Sequence, residues 1–190
     1  GHELGQACIN YLRRFGVNTE FVARGGDHLG IMYLETGAAQ RGAKVIYDCD
    51  HTAMQGVTPT DFDWPEILAD TDWFHFSGTA PALGENVLAV LRDGLTVARQ
   101  LGVTVSCDLN YRAKLWGARD AKAVMTGLMP FVDVLIGNEE DVAKVFGIKA
   151  EGSDVVRGDL QLASYRQVDA QMAGTFGFRY VATPPRPRIS

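Results

Sequence analysis

The stretch 103-VTVSCDLNYR-112 begins as an apolar, β-branched run and ends in Asp108, Asn110 and Arg112. A carboxylate, an amide and a guanidinium spaced two apart point to one side if the chain stays extended. Three hydrogen-bonding groups of different kinds on one side suit a polar ligand better than a turn. The guanidinium fork fits carboxylate or phosphate oxygens and stays charged. The habit recurs along the chain, with Ser77-Gly78-Thr79 closing 73-WFHFS-77 and Gly137-Asn138 closing 132-VDVLIG-137. Polar strand ends about one βαβ unit apart predict a cleft at the carboxyl ends of an open α/β sheet. Helix N-termini at that edge offer unpaired N–H groups and partial positive charge, which suit phosphate.

Each feature also has a plainer reading. Asp and Asn after a strand form turns and caps, and Ser77-Gly78-Thr79 alone reads first as a turn. Asn138-Glu139-Glu140-Asp141 opens a helix; its plain reading is an acidic first turn that complements the helix dipole. Its functional reading is magnesium binding by oxygen ligands, directly or through water. Asp48-Cys49-Asp50-His51-Thr52 starts like a calcium loop but carries Ala53 and Pro59 where Gly and Glu are required. Arg24-Gly25-Gly26-Asp27 is no phosphate loop, because no G-K-[ST] follows. His2, His28, His51 and His75 are scattered, and Trp64, Trp73 and Trp116 read as core.

The positioning elements follow from periodicity. Residues 3–15 place Leu4, Ala7, Cys8, Tyr11, Leu12 and Phe15 on one helical stripe, stopped by Gly16. Residues 20–36 and 43–50 read as short strands of an antiparallel patch, with Gly25-Gly26-Asp27 as a turn. From residue 60 the rhythm changes. Strand 73–77, helix 85–101, strand 103–108, a helix near 119–129, strand 132–137, helix 139–146, a helix near 158–174 and strand 178–183 alternate. That order predicts βαβ units and a mostly parallel sheet.

Bulk properties narrow the classes. With 190 residues the chain can bury one real core. A net charge of −5 argues against a nucleic-acid partner. No apolar run approaches the ~18 residues of a membrane span, so no membrane partner is expected. Three distant cysteines, Cys8, Cys49 and Cys107, give no disulfide framework and no zinc spacing, and a cytoplasmic setting follows.

Five segments together resemble the ribokinase-like (PfkB) carbohydrate kinases, and within them the 2-keto-3-deoxygluconate kinases. They are 3-ELGQACINYLRRFGVNTEFVARGGDHLGI-31, 44-KVIYD-48, 73-WFHFSGTAPAL-83, 105-VSCDLNYRAKLW-116 and 136-IGNEEDVAKVFG-147. DLNYRAKLW is the most specific of them. The resemblance implies a ribokinase-like three-layer α/β/α sandwich, with a mostly parallel sheet and a small β lid to which residues 20–58 belong. It implies ATP-dependent phosphorylation of 2-keto-3-deoxygluconate to the 6-phosphate, with Mg2+. It also implies pairing of lid strands between subunits, giving a homo-oligomer.

Carried over residue by residue, Asn110, Tyr111 and Arg112 match nucleotide-side contacts, with Asn110 orienting phosphates. Arg112 also matches a sugar-side contact and would stabilise transition-state charge. Met32, Tyr47, Asp48 and Cys49 match lid positions that touch the sugar acid, and Asn138 and Asp141 match a segment associated with magnesium and phosphate. Asp108 is read as an orienter of the loop.

The chain departs from the family pattern at several places. Cys49 stands where related kinases usually carry an arginine that holds the acid, and Met32 where tyrosine is common. The 190 residues contain neither the G-A-G-D segment that supplies the family's catalytic base nor its N-terminal Gly-Gly-x-x-x-Asn segment. The expectation is one ribokinase-like domain, 1–190, incomplete at both ends and inactive by itself. The rival readings are a fructokinase- or ribokinase-type enzyme, fed by Cys49, and a non-catalytic sugar-binding remnant.

Overall fold

The computed structural model describes residues 2–37, 42, 44–48, 50–149 and 162–183. They fall into two compact units, one made of Gly1–Asp63 with Leu83–Leu91 and the other of Trp64–Ala82 with Arg92–Ser190. No helix among the described residues is long and apolar enough to cross a membrane.

In the first unit, helix α1 runs Glu3–Arg13 and gives way at Gly16, whose φ of 75° a side chain would strain. Its expected apolar stripe is not the buried side. Leu4, Cys8, Tyr11 and Phe15 are exposed, while Ile9 is buried. Among the described residues the strands of this unit are β1, Ile31–Glu35, and β2, Lys44–Asp48, paired antiparallel with Ile31 opposite Asp48 and Met32 opposite Tyr47. Residues 20–30, read from sequence as part of a strand pattern, form no strand. They make turns instead, and Gly26, at φ 61°, packs directly against Ala53. The expected strand 43–50 is shorter, and Ala43 and Cys49 lie outside the described residues.

The second unit is built on a four-stranded, all-parallel sheet in the order β3-β4-β5-β6. The strands are Trp73–Ser77, Thr104–Asp108, Val134–Ile136 and Tyr180–Ala182. Phe76, Cys107, Leu135 and Val181 stand abreast in one row, and the first three are buried. Helix α2, Trp64–Leu68, sets Trp64 against Phe74 and against Gly94 of α3, Glu85–Leu101. A β-carbon at 94 would meet that indole at 2.8 Å. Of the apolar face that spacing predicts for α3, Val87, Leu91, Leu95 and Ala98 are buried and Leu88 is half-buried; residues up to Leu91 belong to the first unit. Helices α4, Ala118–Leu128, and α5, Glu139–Phe146, bury Ala121, Met125, Leu128, Val142 and Val145. Each fully buried Leu or Met contributes roughly 1.5–3 kcal/mol.

Helix α6 runs Leu162–Phe176; the expected start near 158 lies outside the described residues. One expected core residue is not core. Trp73 is 54% exposed, and its indole N–H donates to the buried Ser106 hydroxyl, which His75 Nδ1 also meets at 2.7 Å.

Candidate functional site at the strand ends

The polar strand ends do line up. Ser77, Asp108, Ile136 and Ala182 stand abreast at the carboxyl edge of the parallel sheet. Each strand is followed there by a polar or small residue: Gly78-Thr79, Leu109-Asn110, Gly137-Asn138 and Thr183.

The expected geometry of Asp108, Asn110 and Arg112 needs correction. The strand stops at Asp108, and Asn110 sits at φ 37°, in the left-handed region, so alternation along an extended chain does not hold. Two hydrogen bonds hold this turn. The Asn110 N–H donates to Asp108 Oδ1 at 3.1 Å, and Asn110 Nδ2 donates to Ser77 Oγ at 3.1 Å. Asn and Asp tolerate the left-handed region better than other side chains, because they bond locally. Asp108 thus orients the loop, as the sequence indicated.

Backbone packing sets the turn's path. Leu109 is fully buried between two glycines of neighbouring strand ends. A β-carbon at Gly78 would fall on the Leu109 carbonyl, and one at Gly137 would meet the Leu109 side chain at 2.9 Å. The Gly78 N–H donates to the Asp108 carbonyl, and the Leu109 N–H to the Ile136 carbonyl. The chain then turns through Tyr111, whose buried ring sends its hydroxyl to the Trp116 carbonyl. Tyr111 therefore offers a ligand little but its backbone. Arg112 is exposed, and among the described residues its guanidinium makes no hydrogen bond or ion pair. It is the strand-edge group best placed to meet an anion.

Asn138 caps α5. Its Oδ1 accepts from the Asp141 N–H at 2.9 Å, and its Nδ2 donates to Asp141 Oδ2 at 2.8 Å. The Asn138 carbonyl oxygen is spent on the cap, while Asp141 keeps a buried, oriented carboxylate. This donor set fits magnesium held through water from Asp141 rather than direct ligation by Asn138. Farther along α5, Lys144 bonds Glu140 at 2.6 Å, which raises its pKa.

The other predicted residues lie in the first unit. Met32 and Tyr47 are directly opposite in the hairpin, and Asp48, at its end, is 3.5 Å from His28 Nε2. Cys49 lies outside the described residues. Sequence reasoning missed the tie from Ser77 to Asn110. Its signal was present as Ser77-Gly78-Thr79, read as a turn. A pocket of about 170 Å³, lined by Arg99, Asp133 and Arg179 among others, opens at the opposite, amino edge of the sheet, away from these groups.

The model of the pfkB family carbohydrate kinases matches residues 1–164. The chain belongs to the pfkB carbohydrate kinase family. Its fold is correspondingly ribokinase-like. It is 31% identical over 178 residues to the 2-dehydro-3-deoxygalactonokinase of Haloferax volcanii, covering 94% of this chain and 52% of that protein. It is 28% identical over 142 residues to the 5-dehydro-2-deoxygluconokinase of Geobacillus kaustophilus, covering 73% and 42%. Among solved structures, the 2-dehydro-3-deoxygluconokinase of Thermotoga maritima superposes with a TM-score of 0.89 at 46% identity, over 95% of this chain and 53% of that one. The chain thus spans about half the length of the curated relatives it matches.

Proposed function

We propose that the whole protein is an ATP-dependent sugar-acid kinase that converts 2-keto-3-deoxygluconate to its 6-phosphate. The observation that carries this reading is the site itself. Asn110, pinned in a left-handed turn, and Arg112, exposed beside it, stand at the carboxyl edge of the sheet in a pfkB chain. Two of its relatives are named as kinases of ketodeoxy sugar acids.

Phosphoryl transfer needs positioning and neutralisation of spread negative charge more than covalent help. Arg112 supplies a permanent charge between sugar and nucleotide, and Asn110 and Tyr111 line the nucleotide side. Mg2+, when bound, neutralises nucleotide phosphate charge; Asp141, oriented by Asn138, would hold it through water. In the first unit Met32, Tyr47, Asp48 and Cys49 supply sugar contacts. Asp108 is assigned an orienting role, since its Oδ1 holds the Asn110 N–H.

The test is a coupled ADP-release assay on the whole protein with 2-keto-3-deoxygluconate, its galacto epimer, ribose and fructose. Turnover confined to ribose or fructose would sink the substrate claim. Cys49 favours a second reading, a fructokinase-type enzyme, because a thiol cannot replace a guanidinium fork. Cys49→Arg separates the two: on the sugar-acid reading it lowers KM for the acid, and on the fructokinase reading it does not.

A further inference from the structure

We propose that Ser77, backed by Thr79, is a positioning residue that fixes the Asn110 amide so that its carbonyl oxygen is the group offered to substrate. The partner Asn110 selects is then a hydroxyl, a hydrogen-bond donor, and not a phosphate oxygen. This rests on the kinase reading above and changes the role of one residue within it.

The argument is one of donors and acceptors. Ser77 Oγ accepts from Asn110 Nδ2 at 3.1 Å and from the Thr79 N–H at 3.4 Å. Its two lone pairs are thereby taken, so the Ser77 proton goes to Thr79 Oγ1 at 3.0 Å. With Asn110 Nδ2 turned toward Ser77, Ser77 is the acceptor of that pair and the amide oxygen faces away from it. Among the described residues Asn110 Oδ1 has no partner. The backbone N–H of Asn110 is committed to Asp108. The unspent strong group is therefore an acceptor, and phosphate oxygens are acceptors too. Anion binding falls to Arg112, two residues on.

Asn110, at φ 37°, sits in the left-handed region that asparagine tolerates through local bonds, and its surroundings must hold it there. Here two hydrogen bonds and the Gly78–Leu109 contact do so.

The test is a double-mutant cycle in the whole protein, with an activity-free measurement on the same protein. Ser77→Ala should lower kcat/KM about tenfold, the scale of one lost hydrogen bond, and Ser77→Thr should keep the activity. Ser77→Ala added to Asn110→Ala should cost nothing further; losses that multiply would overturn the positioning role. Asn110→Asp keeps an acceptor but loses the Nδ2 bond to Ser77, so it should lose about as much as Ser77→Ala and less than Asn110→Ala. If it is worse than Asn110→Ala, the partner is a phosphate and the proposal fails. By NMR, one Asn110 side-chain amide proton should exchange slowly in the wild type and quickly in Ser77→Ala. Exchange indifferent to that change would sink the orientation. The expected NMR result with no sugar-kinase turnover would instead sink the kinase reading and leave the tie between Ser77 and Asn110 standing.

Discussion

Gly78 lies against the carbonyl oxygen of Leu109, with no room between them for a β-carbon. The contact joins the ends of β3 and β4 and delivers the chain into the Asn110 turn. Gly78→Ala must push backbone from backbone, so it should cost about 1–3 kcal/mol in urea unfolding and lower the whole protein's activity along with stability. Gly137→Ala, whose new methyl first meets the Leu109 side chain, should cost less. If the two variants unfold alike, close backbone approach is not what shapes the turn.

Arg112 should behave in the opposite way. It is exposed and unbonded among the described residues, so Arg112→Ala should leave stability within about 0.5 kcal/mol. Activity should nevertheless fall roughly 10²–10³-fold, the usual cost of losing one transition-state anchor. Arg112→Lys should recover only part, because an ammonium cannot make the bidentate contact. Paired melting curves and kcat/KM values check this; a thermal shift as large as the activity loss would assign Arg112 to the fold.

Asn138 carries two roles that substitution can separate. Removing the cap in Asn138→Ala should cost about 1 kcal/mol. Asn138→Ser keeps an oxygen for the Asp141 N–H and should nearly restore stability. It removes the Nδ2 bond that orients the Asp141 carboxylate, so the Mg2+ concentration for half-maximal rate should rise several-fold. An unchanged Mg2+ requirement would leave Asn138 as a cap alone.

These residues also show what the sequence could and could not reveal. Helices α3 and α5 fall on the residues that periodicity and acidic starts predicted, because those signals are local. The parallel order followed from alternating strands and helices. The Asn110 turn was not legible. Its conformation depends on Ser77, 33 residues away, and on the Gly78–Leu109 approach, neither of which has a sequence period. The exposure of α1's apolar stripe and of Trp73 was equally hidden, since a pattern marks an apolar face without saying what covers it. Residues 20–30 misled by composition: Phe21 and Val22 suit strands, but Gly25 and Gly26 spend the segment on turns.

Cys107, directly before Asp108 in the row of buried strand residues, gives the chain a defined alkaline response. Burial pushes its thiol well above the ordinary value, and the neighbouring Asp108 charge adds to the shift. The unfolded thiol ionises from about pH 8.5, whereas the folded one holds its proton. The unfolded state therefore binds fewer protons above that pH, and stability must fall as pH rises. The slope has an upper limit of about 1.4 kcal/mol per unit. The stabilising contribution is complete below the unfolded pKa and is lost toward the folded one. Urea unfolding between about pH 7.5 and 10.5 should show this slope in the wild type, and Cys107→Ala should flatten it while lowering the whole curve through the lost packing. Equal slopes in both proteins would mean that Cys107 reaches solvent in the native state.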